Sequence, residues 1–176
     1  MEPNTVSTKR KPYTVQKLCV VAMLMAMNVI MSSFGIPVPG GHLYLNDVII
    51  CTAAIFLDPL SAFAVGGIGA FLGDLLFYPA PMFVSLVTHG LQAVVISLLT
   101  HRKGAAPRFI PALLGVLCGA VIMVVGYSFG RAYIYSTPEY AWTKLPYQIL
   151  QAGVGAVAGM ILSFATPLKK LFCKYL

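Results

Sequence analysis

The chain has 176 residues, 59% of them apolar and only 10% charged, with a mean hydropathy of +0.84. A soluble domain is roughly half apolar and a quarter charged, so the composition excludes that class and leaves one integral membrane domain spanning 1–176. The formal charge of +7 comes from basic residues that flank apolar runs; bilayer orientation explains this pattern better than nucleic acid, which wants a basic stripe interleaved with aromatics.

The chain opens with a basic segment, 1–17, carrying Lys9, Arg10, Lys11 and Lys17. A signal peptide begins this way, but too many apolar segments follow, so the first run reads as a retained helix. A spanning helix needs roughly 20 mostly apolar residues. That criterion predicts an all-α bundle of six transmembrane helices at 18–34, 44–57, 60–77, 82–100, 109–129 and 144–167. The first carries Asn28, Ser32 and the small pair Ala22 and Ala26. The loop after it, GIPVPGGHL at 35–43, is rich in Pro and Gly and is expected to be irregular. The second helix is short, opens with Asn46 and Asp47, and is split from the third by the turn signal Asp58-Pro59.

The third helix carries Asp74 near its outer end, after Gly69 and Gly73. In the fourth, Ser85, Thr88, His89 and Gln92 recur at helical spacing and share a face. His89 lies about 10 Å into the bilayer at roughly 1.5 Å per residue, too deep to be interfacial. Tyr127 and Arg131 end the fifth helix, and an outer loop at 130–143 holds Tyr133, Tyr135, Glu139, Tyr140 and Trp142. Lys144, Tyr147, Gln148 and Gln151 open the sixth. A basic tail, 168–176, closes the chain.

With six spans, the N-terminal segment, the loop with Arg102, Lys103 and Arg108, and the tail with Lys169, Lys170 and Lys174 share one side. Ten of the twelve positive charges lie there, so both termini are expected to be cytoplasmic. The amides and ionisable groups inside the helices gather at the opposite, outer end. The inner halves offer only hydroxyls such as Thr52, Ser97 and Ser163, which can bond back to their own helix. An ionised group at membrane depth costs about 2.5–3.5 kcal/mol on insertion scales and is functional by default. The expected binding residues are Asn46, Asp74, His89, Gln92, Tyr127, Arg131, Trp142, Tyr147 and Gln151. Structural readings stand beside this one. Asp74 can be a helix-end carboxylate, His89 and Gln92 can be interhelical glue, Arg131 and Lys144 can reach water, and the aromatics can mark the interface.

Cys19, Cys51, Cys118 and Cys173 form no CxxC or Cys/His cluster, so no disulfide framework and no metal site is expected. The sequence has no phosphate-cradling GxxxxGK[ST], no HExxH and no GxSxG. Asp74 and His89 form an acid/base pair at most, with no nucleophile to complete an enzyme, and no cofactor is implied.

The Ala22-Met-Leu-Met-Ala26 pair, the Pro/Gly loop after it, Asp58-Pro59 and the GxxxGD at 69–74 resemble the S component of an energy-coupling factor (ECF) vitamin transporter. The resemblance runs from about Val15 to Lys170. It implies a substrate-binding subunit without its own ATPase, in a bacterial plasma membrane. Such a subunit captures a water-soluble vitamin or precursor from outside, with the first loop as a lid. It docks through helix 1, here Ala22 and Ala26, onto a membrane scaffold T component with two ATPases. The metal-binding N-terminal His pattern of the nickel and cobalt branch is missing, which favours an organic vitamin. The many aromatics suit a flat heterocycle, such as pyridoxine, a thiamine-type pyrimidine or riboflavin. A membrane enzyme using Asp74 and His89, and a structural subunit, are the alternatives.

Overall fold

The computed structural model describes residues 15–39, 41–101, 107–168 and 172. Lys9, Arg10, Lys11, Arg102, Lys103, Lys169, Lys170, Lys174 and Cys173 lie outside them, as does most of the charge pattern that predicts orientation.

Among the described residues six helices run in sequence: α1 (Val15–Ser33), α2 (Asn46–Phe56), α3 (Pro59–Phe77), α4 (Met82–Thr100), α5 (Phe109–Tyr135) and α6 (Pro138–Ala165). Five of them are long and apolar enough to cross a membrane, and the protein is a multi-pass membrane protein. α2 is the exception. Its 11 residues span about 16 Å, roughly half of a 30 Å hydrocarbon core. It is nonetheless the centre of the bundle: from Ile49 to Phe56 every residue is buried, among α1, α4 and α6. The third helix starts where Asp58 caps it. The carboxylate accepts from the Ser61 amide at 3.4 Å and its hydroxyl at 2.7 Å, and Pro59 supplies a preset first-turn φ. Lys17 of α1 meets the same carboxylate at 2.5 Å.

The structure departs from the sequence reading in two places. The Pro/Gly loop is not irregular. Ile36–Val38 (β1) and Gly41–Leu43 (β2) pair antiparallel, Val38 opposite Gly41 and Ile36 opposite Leu43. Gly41 holds φ +142°, a backbone region that disfavours any side chain. The expected outer loop at 130–143 is also mostly helix. α5 continues as a π-turn over Arg131–Tyr135, and α6 begins at Pro138, capped by the Thr137 hydroxyl, which accepts from the Tyr140 amide at 3.5 Å. Proline at the first helical position and a threonine cap outweigh the polar content of that stretch.

A second π-turn, Ala64–Ile68, interrupts α3. Asn28 of α1 donates to the Val65 carbonyl there at 2.6 Å. Ser32 bonds back to the Asn28 carbonyl. Asn28 therefore ties α1 to α3, and Ser32 packs against Gly73 of α3. α1 buries only Leu24, Asn28 and Ser32, and Ala22 and Ala26 sit on its exposed face. Away from the hairpin, Ile50, Ile55, Ala93, Ile96, Val116 and Met160 form a continuous apolar core.

Candidate functional site

One end of the bundle encloses a small polar cavity under the β-hairpin. α6 contributes a buried stripe of Lys144, Gln148 and Gln151, spaced four and three residues apart so that they share a face. α4 contributes His89, α3 Asp74, and α5 Tyr127 and Arg131, with Asn46 entering from the start of α2. His42, Tyr44 and Tyr78 supply aromatic wall. The cavity volume is about 40 Å³, room for about three waters at roughly 10–15 Å³ each.

The hairpin is tied down over this cavity. Lys144 Nζ donates to the His42 carbonyl of β2. Gln151 Oε1 accepts from the Tyr44 amide at 3.1 Å. A side chain added at Gly41 would stand 3.2 Å from Arg131 Nη1, so the roof rests directly on that guanidinium. Arg131 also lies 5.5 Å from the Tyr135 ring centre, within cation–π range. Tyr44 sits just outside the helices. Burial, and next the Asp74 carboxylate, push its hydroxyl up to about 12.

Two hydrogen-bond chains line the walls. In one, Ser85 Oγ donates to Asp74 and is bonded to the Tyr127 hydroxyl. Since the serine hydrogen is committed to the carboxylate, the tyrosine must be the donor to serine. In the other, Asp47 is the hub: Gln92 Nε2 donates to its Oδ1 at 3.1 Å and Gln151 Nε2 to its Oδ2 at 2.7 Å. Gln92 Oε1 lies 2.7 Å from His89 Nδ1. His89 and Tyr127 rings pack with centres 5.2 Å apart. Asp47, His89 and Gln92 are each 1% exposed, so this chain is buried, with His89 and Gln151 meeting the cavity. Two residues that line the cavity, Asn46 and Gln148, each carry a buried amide oxygen, Oδ1 and Oε1, with no hydrogen-bond partner among the described residues.

Six of the nine expected binding residues line the cavity: Asn46, Asp74, His89, Tyr127, Arg131 and Gln151. Gln92 stands behind His89. Trp142 and Tyr147 do not line it. Trp142 is 74% exposed and sits in an outer apolar groove with Val125, Phe129 and Tyr133. At about 100° per residue, Trp142 is about 200° around α6 from Lys144, so both cannot face inward. Sequence reasoning missed the site roles of Asp47, His42 and Tyr44. Only the adjacency of Asp47 to Asn46 points to it, and the Pro/Gly content of 35–43 hides the hairpin that brings in His42 and Tyr44. Among the described residues no group of His, Cys, Asp or Glu is arranged to hold a metal ion.

Comparison with known proteins adds two findings. Residues 13–170 match the family of the ECF-type riboflavin transporter, S component. A protein of Pyrococcus woesei, described as an uncharacterized protein in gap 3'region, is 32% identical over 126 residues, covering 70% of this chain and 82% of its own length.

Proposed function

The chain belongs to the ECF-type riboflavin transporter S-component family, and from that premise we propose that it is the substrate-binding subunit of an ECF importer. It captures a water-soluble heterocyclic vitamin or precursor from outside, with both termini in the cytoplasm of a cell whose plasma membrane it spans. A scaffold T component with two ATPases supplies the energy, and the exposed Ala22–Ala26 face of α1 receives the scaffold. The observation that carries this reading is the roofed polar cavity with two buried, unpartnered amide oxygens, Asn46 Oδ1 and Gln148 Oε1. Buried polar groups are otherwise nearly always paired. An unpaired acceptor in a cavity wall is what a bound ligand would satisfy.

The walls favour a small ring with several hydrogen-bond donors, of the pyridoxine or aminopyrimidine kind. Benzene fills a cavity on the order of 150 Å³, so even one ring requires the roof to lift. A three-ring flavin requires far more. The hairpin is the wall that can move, since it is held by the bonds to Lys144 and Gln151, whereas the other walls are packed helices.

The test is calorimetric titration of the purified chain with pyridoxine, thiamine, its aminopyrimidine and riboflavin. Saturable sub-micromolar binding of a single-ring compound supports the full proposal. Binding of riboflavin alone keeps the subunit assignment and overturns the size argument. Folded protein that binds none of the four, nor any other vitamin tried, sinks the binding reading.

A further inference from the structure

We propose that Asp47 is a positioning residue which fixes the tautomer of His89 and so decides what the cavity offers a ligand. The Tyr44 backbone N–H can only donate, and it points at one end of the Gln151 amide, 3.1 Å away. That end is therefore the oxygen, and the other end of Gln151, 2.7 Å from Asp47 Oδ2, is the NH₂ group. Asp47 accepts there. Its other oxygen, Oδ1, accepts from Gln92 Nε2 at 3.1 Å.

The orientation of Gln92 now follows. Its oxygen faces His89 Nδ1 at 2.7 Å, so Nδ1 carries the hydrogen. In a neutral imidazole the other nitrogen, Nε2, is then a bare acceptor. His89 lines the cavity, and among the described residues Nε2 has no hydrogen-bond partner. One backbone amide just after the hairpin thus sets a ring tautomer on α4 through two glutamines and a carboxylate. Together with Asn46 Oδ1 and Gln148 Oε1, His89 makes this wall acceptor-rich. A ligand seated against it has to bring N–H or O–H groups. That consequence rests on the binding reading above; the tautomer does not.

A β-carbon at Gly155 would stand 2.4 Å from Asp47 Cβ, and one at Gly159 2.7 Å from Cys51 Cβ, so α2 and α6 pass close enough here for Gln151 to reach Asp47.

Nitrogen NMR of the chain with ring-labelled histidine tests the inference without any ligand. His89 is one of three histidines, and His89→Gln identifies its signals. A protonated Nδ1 with a bare Nε2 is expected. A protonated Nε2, alone or on a doubly protonated ring, overturns the proposal. In Asp47→Asn the new amide gives one glutamine a donor, Gln92 turns over, and the tautomer is expected to shift towards Nε2–H. An unchanged tautomer in folded Asp47→Asn removes Asp47 from the role. Should that variant not fold, Gln92→Met removes the relay and leaves Asp47 Oδ1 3.8 Å from Nδ1, so a weakened Nδ1–H preference is expected, and one that is undiminished overturns the relay. Calorimetry on the unaltered chain reads the binding proposal separately, so a protein that shows the expected tautomer and takes up no vitamin overturns that proposal and leaves this one standing.

Discussion

Adding a single methyl group at Gly155 should loosen the site from behind. The glycine is buried, and its missing β-carbon would stand 2.4 Å from Asp47 Cβ and 3.2 Å from the Asp47 carbonyl carbon. Ordinary contact begins near 3.4 Å, so α2 and α6 have to part by about 1 Å in Gly155→Ala. Overpacking of this kind costs about 1–3 kcal/mol. The same displacement stretches the bond from Gln151 to Asp47, now 2.7 Å, towards about 3.7 Å, where it ceases to be a hydrogen bond. A bond to a charged acceptor is worth about 1.5–3 kcal/mol, and each 1.4 kcal/mol that reaches the ligand is about tenfold in affinity. Gly153, two residues earlier, is the internal control, because a β-carbon there meets nothing within 4 Å. Gly153→Ala should be neutral or stabilise the helix by about 0.5–1 kcal/mol. Thermal unfolding in detergent and calorimetric titration of both variants provide the readout. If Gly155→Ala melts with the unaltered protein and binds as tightly, the claim that α2 and α6 are locked through Asp47 is wrong.

Lys144→Met removes the donor to the His42 carbonyl. Faster hydrogen exchange at 41–44 and a ligand off-rate raised about tenfold or more are expected; unchanged exchange would show that the hairpin is held elsewhere. Ala22→Trp should abolish transport by the assembled importer while binding by the isolated chain persists, and lost binding would remove α1 from the docking role. Trp142→Phe should leave the dissociation constant unchanged, as calorimetry can check, because this side chain lies on the outer groove. Burial opposes ionisation of Asp58, but the hydrogen bonds from Lys17 and Ser61 prevail and hold its carboxyl at about 2, below the usual 3.8. Its pair with Lys17 therefore stabilises fully above the unfolded value and is lost as pH falls through the folded one. The pair is partly exposed and worth about 0–1 kcal/mol. Melting scans should show Asp58→Asn less stable than the unaltered chain near neutrality and the difference shrinking in acid; a difference that grows in acid contradicts the assignment.

The helices were legible because a run of apolar residues is a direct signature of the bilayer. The end of the bundle that carries the site was legible too, since Ser85, His89 and Gln92, and Lys144, Gln148 and Gln151, repeat at helical spacing. Rotation was not. Spacing says which residues share a face, and only packing decides which way the face points. Trp142 therefore reads as a neighbour of the site and is turned away from it, and Tyr147 reads as a neighbour and does not line the cavity. The hairpin escaped notice because its strands are three residues long and its Pro and Gly content reads as a break in structure. Asp47 was visible as a residue and not as a hub, because its partners lie 45 and 104 positions away in the chain.

The π-turn at Ala64–Ile68 works as a gear in the middle of α3. One extra residue in a turn re-phases everything beyond it by about 100° relative to what precedes it. The two halves of α3 can therefore answer to different neighbours. The first half keeps Ser61 on the Asp58 cap. The second carries Gly73 against Ser32 and delivers Asp74 to the cavity. Residues 64–68 are consequently intolerant of length change in a way that their small, apolar composition does not advertise. Deleting any one of them would leave a helix of good propensity with its carboxylate swung out of the chamber and towards lipid.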